Sequence, residues 1–144
     1  MKRTITSSIL LVTVLATFFL AGCQPAKPAS LSNEKVEQLV DKILTAIDAG
    51  DYPDFTQDFD DAMKIALPEA QFASLRDLLH TTSGQYVSCA GKEPSLTNKQ
   101  GIAVYRLICT YELESVVVTV TFKIDGDKVE GLFFDSTNLR KTSQ

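Results

Sequence analysis

The chain has 144 residues, 18 of them acidic and 14 basic, with a formal net charge of −4 at pH 7. That length suits one domain with its own hydrophobic core. An acidic chain offers few of the Lys and Arg side chains that bind phosphates, which excludes nucleic acid as a partner. CxxC, HExxH and GxSxG motifs and Gly-rich phosphate loops are absent from the sequence, so we predict no catalytic residue, metal or cofactor.

The first 22 residues have the three parts of a bacterial lipoprotein signal peptide. Lys2 and Arg3 form a basic start, and an apolar run follows over residues 9–20. This run is shorter than the roughly 20 apolar residues of a membrane-spanning helix. Leu20-Ala21-Gly22-Cys23 resembles a lipobox, in which small residues let a peptidase reach the bond before the cysteine. The alternative is an uncleaved anchor with a free thiol.

The lipobox resemblance implies that Cys23 carries a diacylglycerol and anchors an extracytoplasmic domain to a membrane. Because Gln24 and not Asp follows the cysteine, it implies the outer membrane in a two-membrane bacterium and the cell membrane otherwise. Loss of Lys2 and Arg3 leaves 12 basic and 18 acidic residues, a net charge of −6. We expect residues 23–30, which include Pro25 and Pro28, to form a lipidated tether.

A domain over residues 31–137 and a C-terminal tail over residues 138–144 complete the predicted organisation. The domain begins with a long helix, with Ser32 as its N-cap and Gly50 at its end. Its apolar side chains recur at helical spacing; they are Val36, Leu39, Val40, Ile43, Leu44 and Ile47.

Two more helices are predicted before the sheet. Pro53 suits the first turn of the second helix, and Phe55, Phe59 and Met63 would lie on one face of it. A third helix begins after Pro68. Its apolar face comprises Phe72, Leu75, Leu78 and Leu79, and it stops within residues 81–84.

The second half favours four strands, over residues 85–89, 102–112, 116–124 and 128–135. Asp125-Gly126 predicts a type I′ hairpin turn that pairs Phe122 with Val129 and Val118 with Phe133. A turn at Glu114-Ser115 would pair Tyr111 with Val118. Both registers place one apolar set on a single sheet face, which predicts a curved antiparallel meander.

The first hairpin, with a loop over residues 92–101, would place Cys89 opposite Cys109 and Val87 opposite Tyr111. Opposed residues have Cβ atoms about 4.5–5.5 Å apart, close enough for a disulfide after small adjustment. The competing interpretation is two buried free thiols.

The order of these elements resembles small bacterial extracytoplasmic domains of unknown function with a nuclear transport factor 2-like (cystatin-like) cone. The resemblance covers most of residues 33–134 and depends on Gly50-Asp51-Tyr52, on residues 59–64 and on residues 125–134. It implies an α+β fold: three N-terminal helices, then a curved four-stranded antiparallel meander around the long helix. A cavity often lies at the open end of such a cone.

The concave face is the candidate pocket, and we predict that it is lined by Tyr105, Leu107, Tyr111, Val118 and Phe133. A closed core is the competing interpretation, with Ile43 and Ile47 packed against Leu107, Val118, Val120 and Phe133. His80, the one histidine, suits a helix C-terminus. The acidic cluster Asp51, Asp54, Asp58, Asp60 and Asp61 lacks the spacing of a calcium loop and is expected to be a solvated helix face.

These observations predict a membrane-anchored, non-enzymatic module that binds a small apolar ligand or an envelope protein. The alternative is a hydrolase or isomerase with its site in the mouth of the cone. A third interpretation is an assembly lipoprotein of the envelope, which a large exposed apolar patch on the outer face of the sheet would favour.

Overall fold

The computed structural model describes residues 31–89, 96–97 and 101–142. Five helices lie in this part of the chain: α1 (Asn33–Ala49), α2 (Tyr52–Thr56), α3 (Asp61–Ala66), α4 (Glu69–Thr82) and α5 (Thr137–Thr142). The strands are β1 (Tyr86–Cys89), β2 (Leu96–Thr97), β3 (Ile102–Tyr111), β4 (Ser115–Lys123) and β5 (Val129–Asp135). The fold class is therefore α+β, with helices followed by an antiparallel sheet, as predicted.

Helix α1 has the predicted ends and the predicted buried face. The Ser32 side chain accepts a hydrogen bond from the Lys35 backbone N–H at 3.3 Å. Gly50 adopts a left-handed φ of 76°, and its N–H bonds to the carbonyls of Ala46 and Ile47. The apolar stripe is buried apart from Leu39, which is half-buried.

The described residues contain five helices, four of them before β1, so the prediction of three helices was wrong. The predicted second helix is two short helices, because residues 58–60 leave the helical path to pair with β5. The Asp60 N–H donates to the Val129 carbonyl at 3.0 Å, and the Val129 N–H donates to the Asp58 carbonyl at 2.9 Å. The Asp60 side chain then caps α3 by accepting from the Met63 N–H at 2.7 Å. Helix α5 includes most of the segment that we predicted to be a tail.

The strands run in the order β1-β3-β4-β5, and β2 pairs separately with β3. The buried side chains of β3 and β4 form one core with α1, α2 and α4. Phe55 and Phe72 join α2 to α4, with ring centroids 4.7 Å apart. The helices therefore pack against one face of the sheet.

The turn between β3 and β4 lies two residues earlier than predicted. Val118 pairs with Leu107 and not with Tyr111. The turn is held there by backbone bonds, from the Glu112 N–H to the Gln85 carbonyl and from the Leu113 N–H to the Ser83 carbonyl, each 3.0 Å long. Since the register between β3 and β4 changes by an even number of residues, each side chain of these two strands keeps its predicted face.

Asp125-Gly126 is not a type I′ turn, although Phe122 does pair with Val129 as predicted. Gly126 lacks the positive φ that such a turn needs, and its N–H donates to the Lys123 carbonyl at 2.9 Å. The connection between β4 and β5 is therefore longer than a two-residue hairpin turn, and its tight turn lies one residue earlier in the chain than predicted.

Candidate functional site

The predicted pocket residues divide into four that are buried and one that is exposed. Tyr105, Leu107 and Tyr111 of β3 and Val118 of β4 belong to the core cluster. The Tyr105 hydroxyl donates to the Leu31 carbonyl at 2.8 Å. These four side chains therefore pack between the sheet and the helices.

Phe133 is the exception, and its placement on the concave face was wrong. Its side chain is 60% exposed and lies on the opposite face of the sheet. The cause is an irregularity in β5: Gly131 pairs with Thr121 while Val129 pairs with Phe122, so that Glu130 is an extra residue. A bulge of one residue reverses the faces of all residues beyond it. Phe134 consequently takes the predicted position of Phe133 opposite Val118.

A polar junction joins α1, α4 and β1 at one end of the core. The His80 Nε2 lies 2.8 Å from the Asp48 Oδ1, which also accepts from the Tyr86 N–H at 3.3 Å. The Tyr86 hydroxyl donates to the Asp41 Oδ1 at 2.6 Å. Burial raises the pKa of the Tyr86 hydroxyl, and its hydrogen bond to Asp41 raises it further. Burial also raises the pKa of Tyr111, with a further contribution from the Asp48 charge.

Both tyrosines are protonated at neutral pH. Tyr86 acts there as a hydrogen-bond donor to Asp41, and its ring packs edge-on against that of Tyr111, with centroids 5.7 Å apart. A carboxylate that orients a histidine is also a feature of general-base catalysis. Here, however, the Asp48 oxygen is shared between His80 and a backbone N–H, which ties the ends of α1 and α4 to the start of β1. His80 thus lies at the helix C-terminus, as predicted, and its ring also makes a hydrogen bond with Asp48.

The acidic cluster caps helices and pairs with lysines. Asp51 accepts from the Asp54 N–H at 3.1 Å at the start of α2, and Asp60 caps α3. Asp58 forms ion pairs with Lys42 at 3.0 Å and Lys128 at 3.8 Å. Among the described residues, no group of three or more His, Cys, Asp or Glu side chains could hold a metal ion.

A shallow cleft of about 240 Å³ lies near this cluster, beside the connection from β4 to β5. Its charged lining carries both signs, and Lys123 pairs with Glu130 at 2.8 Å within it. The remaining lining residues are Asp60, Gly126, Asp127 and Lys128.

The side of the sheet away from the helices carries exposed apolar side chains, and we call it the outer face. It comprises the positions of β3, β4 and β5 that alternate with the inward-facing ones: Ile102, Val104, Arg106, Ile108, Thr110, Ser115, Val117, Thr119, Thr121, Lys123, Gly131, Phe133 and Asp135. Ile108 is 50% exposed. The Phe133 ring lies over Gly131, with its Cε2 atom 3.0 Å from where a Cβ of residue 131 would be.

Comparison with known families gives a match over residues 40–132, more than half of the chain, to a family described as "Protein of unknown function (DUF3887)". The chain belongs to the DUF3887 family. The curated proteins gave no match to it. The solved structures gave none either.

Cys89 and Cys109 of this DUF3887 chain lie opposite each other in β1 and β3, as predicted. Their Cα atoms are 4.0 Å apart, and the two sulfurs are at disulfide-bonding distance. Val87 does not lie opposite Tyr111, because a bulge in β1 pairs Tyr86 with Tyr111. Val87 is the extra residue and is exposed.

Cys23 and the signal segment of the DUF3887 chain lie outside the described residues. Within residues 31–89, 96–97 and 101–142, no helix has the length and apolar character needed to cross a bilayer.

The outer face of the DUF3887 chain was not predicted to carry Phe133, although the sequence does contain one relevant signal. Gly131 interrupts a run of strand-forming residues, and an isolated Gly in a strand often marks a bulge. Applying that rule would have moved Phe133 to the outer face and Phe134 to the core.

Proposed function

We propose that this DUF3887 protein is a lipid-anchored, extracytoplasmic interaction module without enzymatic activity, and that its outer face binds an envelope protein. One observation carries the proposal: Phe133 and Ile108 are exposed on a sheet face that the helices leave open. Exposed aromatic and aliphatic side chains surrounded by a polar rim are typical of protein interaction sites.

The burial of the predicted pocket residues supports a protein partner over a small apolar ligand. Tyr105, Leu107, Tyr111 and Val118 are in contact with other core side chains, and the Tyr105 hydroxyl is bonded to backbone. An apolar ligand would need a cavity lined by such side chains. The alternative of a hydrolase or isomerase stays a prediction.

The proposed fold type is the nuclear transport factor 2-like cone. The long helix α1, which shares a core with the antiparallel sheet, supports it, as does the placement of the helices before the sheet. The bulges in β1 and β5 also support it, because bulges bend and twist a sheet.

The proposed anchor is a diacylglycerol on Cys23, supported by the lipobox pattern at residues 20–23. Two acyl signals give stable membrane binding. In the host cell, Cys23→Ala should abolish membrane retention and incorporation of labelled fatty acid. Incorporation of the label into Cys23→Ala would contradict the anchor.

The interaction is tested by photo-cross-linking in the host. A benzoylphenylalanine is placed at Phe133 of the full chain, with Ile65 as the matched control. Ile65 is an apolar side chain of α3 that is 81% exposed, more than Phe133. We expect a discrete covalent adduct with one protein from position 133 and none from position 65. No adduct at 133, or the same adducts at both positions, would overturn the proposal.

A further inference from the structure

The centre of the outer face has two apolar and two charged side chains arranged as the corners of a parallelogram. In one row, Arg106 of β3 and Phe133 of β5 lie on either side of Thr119. In the next row, Ile108 and Asp135 lie on either side of Val117. Strands are about 4.8 Å apart and same-face residues about 6.8 Å apart, so the four corners fit within about 10 Å by 7 Å.

The two diagonals of this parallelogram differ in character. One joins Phe133 to Ile108 and is apolar. The other joins Arg106 to Asp135 and has opposite charges at its ends. The pKa of Asp135 is lowered, chiefly by its hydrogen bond from Arg140. The charge of Arg106 in the same chain contributes to the lowering.

We propose that the outer face binds a second copy of this chain, with a two-fold axis along the Phe133–Ile108 diagonal between the two stacked sheets. Rotation about that axis places Phe133 on the other copy's Phe133 and Ile108 on its Ile108. The same rotation places each Arg106 opposite the Asp135 of the other copy. The inference rests on the proposed function and names the partner of the same face.

Other two-fold axes in the plane of this face fit less well. An axis along the strands would place Arg106 on Phe133 and Asp135 on Ile108. An axis across the strands would place Asp135 on Phe133 and Arg106 on Ile108. Both arrangements bury a charge against an apolar side chain, which is unfavourable. An axis along the Arg106–Asp135 diagonal would place Arg106 on Arg106 and Asp135 on Asp135, which brings like charges together. The charges thus select the Phe133–Ile108 diagonal, about which the two sets of strands would cross steeply, as in orthogonal sheet packing.

Asp135 can accept a hydrogen bond from the second copy although Arg140 already binds it. The Arg140 Nε donates to the Asp135 Oδ1 at 2.6 Å, and its Nη2 donates to Oδ2. An ionised carboxylate has about four lone-pair sites, so two remain for the incoming Arg106. The Asp135 side chain is 50% exposed and therefore accessible to it.

The inference is tested by cysteine cross-linking of the full chain in host membranes. In Ile108→Cys, two copies should be joined by a short bismaleimide, because the axis places residue 108 next to its own counterpart. Ile65→Cys is the exposed control on α3. We expect about tenfold more covalent dimer from Ile108→Cys than from Ile65→Cys.

A charge exchange tests the selected axis. Arg106→Asp, added to Ile108→Cys, should reduce the dimer about tenfold by placing like charges together. Further addition of Asp135→Arg should restore it. Equal cross-linking at positions 108 and 65, or cross-linking insensitive to Arg106→Asp, would overturn the inference.

The outcomes separate this inference from the proposed function. Suppose that Ile108→Cys is joined to a different protein and that the benzoylphenylalanine at position 133 captures that protein as well. The proposed function then holds, and the inference that the partner is a second copy is wrong. If neither position gives an adduct, both are wrong.

Discussion

At the residue scale, the two phenylalanines Phe122 and Phe133 lie in opposite environments. Phe122 is fully buried and packs edge-on against Tyr105, with ring centroids 5.7 Å apart. The Phe133 ring lies over Gly131 and is 60% exposed to solvent. The alternation of apolar residues predicts that both side chains are buried in the core. The bulge at Glu130 moves Phe133 to the outer face instead.

We expect Phe122→Ala to lower the free energy of unfolding by about 3–5 kcal/mol, the usual loss for an emptied aromatic site in a core. Phe133→Ala should cost under about 1 kcal/mol, because exposed substitutions have small effects. Urea titration of the two variants measures both values. Similar losses for the two would contradict the bulged register of β5.

Glu114 is a second residue with a specific structural role. Its carboxylate accepts hydrogen bonds from the hydroxyls of Ser83 and Ser136, each at 2.7 Å, and from the Asn138 N–H at 3.2 Å. Desolvation alone would raise the pKa of Glu114, but the bonds from Ser136, Ser83 and Asn138 outweigh it and lower the pKa. The turn after β3 is thereby joined to the C-terminal end of α4 and to the start of α5.

The lowered pKa predicts a pH dependence. Because Glu114 is more acidic in the folded state, its stabilisation is complete above the unfolded pKa of about 4.3 and is lost as the pH falls through the folded pKa. Glu114→Gln should therefore be less stable than the wild type at pH 7, and the difference should shrink with acidification. Thermal unfolding between pH 7 and pH 3 measures it. A difference independent of pH would contradict an ionised Glu114 in this network.

At the element scale, the ends of α1, the starts of α2 and α4 and the positions of β1, β3, β4 and β5 were predictable. The break between α2 and α3, the short strand β2, helix α5 and the strand register were not. Ser32, Gly50 and Pro53 are local signals, because a cap or a fixed φ acts within one turn of its own element. The turn after β3 depends on bonds to residues 83–85, and the break between α2 and α3 depends on Val129. These partners are distant in sequence, so no local pattern indicates them.

The pairing of β1 with β3 depends in part on Cys89 and Cys109, which are 20 residues apart in sequence. Mass spectrometry of the non-reduced protein should show the loss of two hydrogens. Cys89→Ala/Cys109→Ala should lose about 3 kcal/mol of stability, because a loop of that length becomes unconstrained in the unfolded state. Free thiols at both positions, trapped after unfolding of the non-reduced wild type, would contradict the pairing.

At the scale of the whole molecule, the sheet divides the domain into a packed side and an open side. The helices and the inward side chains form one core, and the membership of the core was largely predictable from apolar periodicity. The inward orientation of the four buried pocket residues was predictable from the same periodicity, because the shift in the β3–β4 turn preserved their face. The composition of the outer face was not predictable, because one extra residue in β5 decides it.

The central claim is that a protein covers the outer face in the cell, and cysteine accessibility tests it most directly. Phe133→Cys and Ile65→Cys are labelled with a maleimide, first in intact envelope membranes and then in dilute purified protein. We predict that Phe133→Cys reacts several-fold more slowly than Ile65→Cys in membranes, and that the two rates converge on dilution, because interface residues lose solvent contact on binding. Equal rates in both preparations would show an uncovered outer face and contradict the account.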